Sequence, residues 1–136
     1  MTERIHNISG IFGAWLVCAL LLLSCAAVPS KEDSGAALRA AADNYWKLRL
    51  QGSYEGSYRL EDKEGLPAFE EYRGKASAIM KIKIISISVK SVNVSDDRGA
   101  VELEYSYQLP KVSQPFHQVL PDYWVYSNGT WLHVFK

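Results

Sequence analysis

Two of the three histidines, a few acids and a dense set of tyrosines and tryptophans are the side chains in this sequence able to do chemistry. His133 is the most suggestive. It closes the stretch Tyr123-Trp124-Val125-Tyr126-Ser127-Asn128-Gly129-Thr130-Trp131-Leu132-His133, in which Asn128-Gly129 has the composition of a two-residue hairpin turn. That register pairs Tyr126 with Trp131 and Trp124 with His133 on one face, and Val125 with Leu132 and Tyr123 with Val134 on the other. An imidazole opposite an indole can occupy an apolar mouth, where its proton affinity moves into a useful range. The same residue is equally described as an exposed or hydrogen-bonded histidine at a hairpin end. Asp43, Tyr45, Tyr58, His117 and Asp122 are the other possible parts of a site, with Tyr105 and Tyr107 as wall. His117 lies in a proline-flanked loop, an ordinary place for a solvent histidine, and Asp43 falls on the polar arc of a helix.

Stronger chemical signatures are missing. No HExxH spacing and no usable cysteine pair marks a metal site. No glycine-rich phosphate loop and no GxSxG elbow is present. No catalytic residue, metal or cofactor is therefore assigned. The aromatic content (eight tyrosines and four tryptophans) can line a small-molecule pocket, form a protein-binding patch or fill a small core.

A second kind of chemistry is written near the amino terminus. Residues Ile11 to Leu23 form an uncharged apolar run behind a weakly basic start. As a helix it would reach about 20 Å, short of the roughly 30 Å of a bilayer core and matching the apolar region of a secretory signal. It ends in Leu22-Leu23-Ser24-Cys25, which resembles the lipobox of bacterial lipoproteins. The resemblance implies cleavage between Ser24 and Cys25 and fatty acylation of the Cys25 thiol. Several acyl chains hold a soluble domain on a membrane where one would be marginal. Alanine at position 26 implies the outer membrane, facing the periplasm, if the cell is Gram-negative. The expected organisation is a cleaved signal over 1–24, a lipidated tether over 25–34 and one domain over 35–136.

The chain balances 15 basic against 15 acidic side chains. It has no basic block, which argues against nucleic acid or an anionic membrane surface as partner. Cys18 leaves with the leader and Cys25 is acylated, so the domain depends on packing and has no disulfide.

The domain opens with an amphipathic helix, capped by Asp33 or Ser34 and stopped by Gly52. Leu38, Ala41, Ala42, Tyr45, Leu48 and Trp46 form its apolar side, while Arg39, Asp43, Lys47 and Arg49 cover much of the rest. Tyr54 and Tyr58 are spaced for a second short helix. Pro67 suits the first turn of a third, which carries Phe69 and Tyr72 and ends at Gly74. The stretch from Lys81 to Ser95 is rich in β-branched residues, but its alternation slips phase twice. Bulges or sharp bends are expected near 84–85 and 90–91; a strand apolar on both faces, or two strands, would give the same pattern. Residues 95–99 make a turn. Val101, Leu103, Tyr105, Tyr107 and Leu109 then alternate with Glu102, Glu104, Ser106 and Gln108, as in an antiparallel strand wet on one side. Pro110, Pro115 and Pro121 bracket a loop carrying Phe116 and His117, before the closing hairpin.

This order resembles the NTF2-like (cystatin-like, SnoaL-like) superfamily. The local echoes are Ala42-Asp43-Asn44-Tyr45-Trp46 with Arg49 and Gly52, then Tyr58-Arg59-Leu60, then the hairpin from Tyr123 to Trp131. The resemblance implies an α+β fold, a long N-terminal helix packed on a strongly bent antiparallel sheet, cone-like, with an apolar cavity. Enzymes of that superfamily place an acid or histidine inside the cone.

The sequence favours a membrane-anchored lipoprotein of the bacterial cell envelope with a non-catalytic ligand-binding or interaction domain. Its partners would be the membrane and a small apolar ligand or an envelope protein. Tyr45, Tyr58, Tyr105, Tyr107, Trp124, Tyr126, Trp131 and His133 are the pocket or interaction candidates. One alternative is a small NTF2-like isomerase, cyclase or hydrolase using His, Asp and Tyr; another is a structural envelope protein acting through partners.

Overall fold

The computed structural model describes residues 31–136. The expected signal, Ser24 and Cys25 lie outside them. Three helices precede a four-stranded antiparallel meander in the order β1-β2-β3-β4. The sheet curls strongly around the first helix, which gives the α+β cone of the NTF2-like and cystatin-like architecture.

Helix α1 (Lys31–Leu50) begins upstream of the expected cap, and Asp33 in its first turn suits the positive end of its dipole. Leu38, Ala42 and Tyr45 are fully buried, and Trp46 nearly so. They meet Val94, Val101, Leu103, Trp124 and Trp131 from the sheet. Burying each large apolar side chain of this set contributes about 1.5–3 kcal/mol. Arg49 departs from expectation. Its spacing puts it on the polar arc, but it is 2% exposed, because the Tyr72 hydroxyl and the Ala76 carbonyl close over this end of the helix.

Gly52, at φ 71°, takes the left-handed conformation that ends α1, and the short α2 (Tyr54–Tyr58) follows. Helix α3 (Phe69–Ile79) runs through Gly74 rather than ending there. Tyr72 and Ala76, four apart and fully buried, give it a continuous inner edge past the glycine. Glu70–Arg73 and Glu71–Lys75 pairs lie on its wet side.

Strand β1 (Lys83–Ser95) pairs with β2 (Arg98–Gln108) through two register shifts, between Ile84 and Ser86 and between Val89 and Ser91. Ile85 and Lys90 are the extra residues, and Ile85 is 52% exposed. Each bulge resets the alternation, so Ile84, Ile87, Val89, Val92 and Val94 all reach one face. The phase slips visible in the sequence are these two bulges. On β2, the inner set Val101, Leu103, Tyr105 and Tyr107 falls opposite them.

Strand β3 (Phe116–Ser127) starts earlier than expected. Phe116 and His117 belong to it and not to a loop, pairing with Tyr107 and Ser106. Pro121 sits inside the strand opposite Glu102. It is tolerated because β4 (Thr130–His133) reaches only as far as Trp124, which leaves that stretch of β3 without a second neighbour. Asn128 and Gly129 both have positive φ, 51° and 83°, and the hairpin register is Trp124 with His133 and Tyr126 with Trp131, as the turn chemistry predicts.

At Gly99 the Leu38 side chain of α1 packs directly on the backbone of β2. A Cβ there would clash with Leu38 Cδ2 and crowd Trp131 Cζ3 at 3.1 Å. Gly99→Ala is expected to lower stability by about 1–3 kcal/mol, measured by urea unfolding; a neutral result would mean that the helix rides higher over β2.

Candidate functional site

The hairpin register places Trp124 beside His133, and Asp122 lies two residues before Trp124 on the same face of β3. Asp122 is thus a diagonal neighbour of His133. Its Oδ1 is 2.8 Å from His133 Nε2. Its Oδ2 accepts from the indole N–H groups of Trp124, at 2.9 Å, and Trp46, at 3.0 Å. One carboxylate therefore ties the helix, β3 and β4 together.

Glu61 reaches the other ring nitrogen. The backbone between α2 and α3 runs alongside β4, with Asp62 N–H donating to His133 O and His133 N–H to Leu60 O. That bridge sets Glu61 Oε2 2.6 Å from His133 Nδ1, while Tyr45 OH donates to Glu61 Oε1 at 2.5 Å. Arg49 in turn donates to Tyr45 OH at 2.9 Å and to Ala76 O at 3.2 Å. Tyr72 OH, also at this end of α1, donates to Ser57 Oγ. Glu61, Asp122, His133, Tyr45 and Arg49 are all buried.

These distances favour the doubly protonated ring. Both imidazole nitrogens face carboxylate oxygens, so both carry protons and the ring is an imidazolium. Two carboxylates then balance one imidazolium and one guanidinium, and the buried cluster is neutral. Burial by itself would lower the proton affinity of His133. The hydrogen bonds and charges of Asp122 and Glu61 outweigh it, and the pKa is pushed up to about 9. Burial, reinforced by the Glu61 charge, raises the Tyr45 phenol far out of its ordinary range. Tyr45 also lies flat on the imidazolium, with ring centres 4.3 Å apart.

The cluster borders open space. A cavity of about 190 Å³ is lined by Asp122, His133 and Arg49 together with Trp46, Tyr105, Leu120, Phe135 and Lys136. Its walls are mainly apolar.

The structure brings Tyr45, Trp124 and His133 into one network, and puts Tyr105 on the cavity wall. Tyr107 lies further along the inner face, stacked on Phe116 at 5.7 Å. Trp131 is in the core and packs on the exposed Tyr126. Tyr58 is apart from the cavity, packed between Phe69 and Tyr72 with its hydroxyl on Pro67 O. Asp43 and His117 face solvent. Sequence reasoning missed Glu61, whose setting in Glu61-Asp62-Lys63-Glu64 has the look of a solvated charge run. The Asp122–His133 contact was within reach of the hairpin register, by counting two residues back from Trp124.

The expectation of a domain without chemistry is overturned here. Paired titratable groups within hydrogen-bond reach, buried together and opening on a cavity, are the arrangement a proton-transfer site requires.

No protein-family model and no curated protein matches the chain. Among solved structures, it is similar to RPA3114, a SEC-C motif containing protein from Rhodopseudomonas palustris. The TM-score is 0.58 at 14% identity, over 74% of this chain and 77% of that one. At this identity the likeness is one of fold alone. A Campylobacter jejuni protein described as an NTF2-like transpeptidase matches with a TM-score of 0.49 and 11% identity, over 70% of this chain and 94% of its own. A Mesorhizobium loti protein described as a SnoaL-like polyketide cyclase matches at 0.47 and 15%, over 73% and 97%.

Proposed function

We propose that the chain is a small acid–base enzyme, of isomerase, cyclase or hydrolase type, acting on an organic molecule held in the cavity beneath α1. The observation that carries this reading is the 2.8 Å Asp122–His133 pair on the wall of an otherwise apolar cavity of about 190 Å³. Asp122 accepts a proton from the substrate and returns it to another atom of the same molecule. His133 holds the carboxylate as an anion before the transfer and keeps it oriented through Nε2. Glu61 and Tyr45 position His133 from behind. Arg49 adds positive charge to the cavity lining, favourable to an oxygen that becomes negative as the proton leaves.

The test is deuterium exchange from heavy water into a panel of small carbon acids, read by mass spectrometry. Asp122→Asn keeps the shape of the side chain and is expected to slow exchange by about 10²–10⁴-fold. Exchange by the wild type no faster than buffer, or an unchanged rate in the variant, would overturn the assignment.

The location belongs to the same proposal. The chain is exported, cleaved before Cys25 and held in a bacterial cell envelope through acyl groups on that cysteine. Support comes from the apolar run 11–23 and from residues 22–25 that close it. Cells fed an alkyne fatty acid are expected to label the wild type and to leave Cys25→Ala unlabelled; a labelled variant sinks the anchor.

A further inference from the structure

Strand β3 has a long open edge. Its even-numbered residues turn their backbone groups toward β2, as Tyr126 N–H does in donating to Asp97 O. Its odd-numbered residues turn theirs the other way, as Tyr123 O does in accepting from Val134 N–H. The register with β2 runs unbroken from Val125 to Phe116, so this division holds along the strand. Strand β4 pairs only with Trp124 to Ser127. After Val134 the backbone leaves the edge, with Phe135 packed against Tyr72 at 5.0 Å between ring centres. The N–H and C=O groups of Val119 and His117 therefore point away from the sheet with no strand beside them, and every residue from Phe116 to Pro121 is exposed. Among the described residues, five of the nine exposed large apolar side chains belong to β3, Phe116, Val119 and Leu120 included.

Exposed edges are ordinarily guarded by lysine or another charge. From Phe116 to Leu120 this one has no lysine, arginine or acid. Prolines stand instead at its two ends, Pro115 and Pro121, each three residues from Gln118. The spacing matters because proline has no N–H to give a second strand. Consider an antiparallel copy of the same strand laid against this edge. With the two-fold axis at Val119, Pro121 would face the partner's His117 and its missing N–H would break the ladder. With the axis at His117, Pro115 would face the partner's Val119 and break it in the same way. With the axis at Gln118, Val119 faces the partner's His117 in both halves, and all the N–H and C=O groups of these two residues are satisfied. Pro121 then faces the partner's Pro115, where neither side has a donor to lose. On the inner face the same register sets Leu120 against the partner's Phe116, an apolar pair repeated by the symmetry. The strand is complementary to itself in this register.

We infer that this edge pairs with the same edge of a second copy of the chain, about a two-fold axis at Gln118, and joins two four-stranded sheets into one. A strand from a different protein can use the same backbone groups, but it gives no reason for the prolines to stand at equal distances from Gln118. The partner also adds to the walls of the site. Gln118 and Leu120 line an apolar hollow of about 440 Å³ together with Ile84, Tyr105 and Tyr107, and Leu120 lines the Asp122–His133 cavity as well. The partner's Phe116, set against Leu120, brings an aromatic ring to the residue that both hollows share. The pairing is independent of whether Asp122 moves a proton. A strand pair of this length covers a small area, so the dimer is expected to be weak, with a Kd on the order of micromolar.

The experiment is disulfide trapping of the purified full-length chain in a Cys18→Ala, Cys25→Ala background, with one new cysteine at a time. Opposed residues that share no backbone bond have Cα atoms about 4.5 Å apart, within the span of a disulfide, whereas diagonal neighbours are about 7–8 Å apart. Under mild oxidation Gln118→Cys is expected to give mostly covalent dimer, and His117→Cys and Val119→Cys several-fold less. Sedimentation equilibrium supplies a second measurement. Gln118→Lys, at an exposed position, puts like charges face to face across the axis and is expected to raise Kd about tenfold or more. Gln118→Glu acts in the same way, and an equal mixture of the two is expected to restore pairing, which shows that each variant is folded. Trapping at Gln118 no stronger than at Val119 would overturn the proposal, and so would a mixture that stays monomeric. A wild type that remains monomeric well above micromolar concentration would overturn it in favour of an edge kept for another protein's strand. None of these readouts involves turnover, so a failure of the catalytic reading leaves the result standing.

Discussion

Replacing Glu61 by alanine is expected to remove about 3–5 kcal/mol from the unfolding free energy, the largest loss from any single substitution in the cluster. Glu61 is fully buried and accepts from both Tyr45 and His133. Its removal leaves the imidazolium with one carboxylate and the Tyr45 hydroxyl with only its longer contact to Tyr72 OH, at 3.3 Å, as an acceptor. The buried cluster then carries a net positive charge. A domain of this size has roughly 5–15 kcal/mol in total, so the variant loses about a fifth of its stability or more. Glu61→Gln keeps the volume and one acceptor oxygen and is expected to fall between the two. Glu64→Ala, on the exposed side of the same loop, serves as comparison and should lie within about 0.5 kcal/mol of wild type. Urea midpoints decide the matter. An alanine variant within 1 kcal/mol of wild type would mean that the charges are not coupled as the geometry implies.

Alkaline pH is expected to weaken the fold through His133. The folded state holds its proton up to about pH 9, whereas an unfolded histidine releases it near 6.5. The extra stability is therefore complete below about pH 6.5 and disappears as pH rises through 9. The linked free energy is about 3 kcal/mol, which corresponds to a fall in Tm on the order of 10 °C across that window for a domain of this length. Tyr45, with its proton affinity raised further still, stays neutral throughout and does not mask the effect. Thermal unfolding from pH 6 to 9.5 measures it. His133→Gln should give a lower and flatter curve over the same range. A wild-type curve that is itself flat would show that His133 is not charged in the folded protein.

These two results bear on the functional reading from opposite sides. Glu61 does not line the cavity, so its effect belongs to stability and to the orientation of His133. Asp122 does line it, and its substitution by asparagine belongs to the proton-transfer test. If Glu61→Gln were to slow exchange while changing stability little, the imidazolium would have to be more than a support for the Asp122 carboxylate.

Much of the fold was legible because it is written in short-range periodicities. The apolar spacing of Leu38, Ala42 and Tyr45 gives the buried side of α1. The two phase slips around 84–85 and 90–91 are the bulges at Ile85 and Lys90. Asn128-Gly129 gives the hairpin and its register, and with them the Trp124–His133 pair. The misreadings have local causes as well. Gly74 looked like a helix end because a glycine is a weak helix former, but Tyr72 and Ala76 bury the same edge on both sides of it. Pro121 looked like loop, because the missing neighbour that tolerates it in β3 is a property of the finished sheet. Arg49 looked like a solvated charge, since helical spacing shows an arc but not what will be packed against its margin.

The amino-acid sequence by itself determined the elements, the bends of the sheet, the hairpin pairing and the choice of side chains with proton affinity to spare. Only the tertiary structure decided that these side chains form a site. Glu61 and His133 are 72 positions apart, and nothing periodic connects them. They meet because the segment after α2 runs alongside β4 and because α1 stops short of the end of β2. Both facts depend on how the helices close over the sheet, a balance of many packed surfaces that no window of neighbouring residues contains.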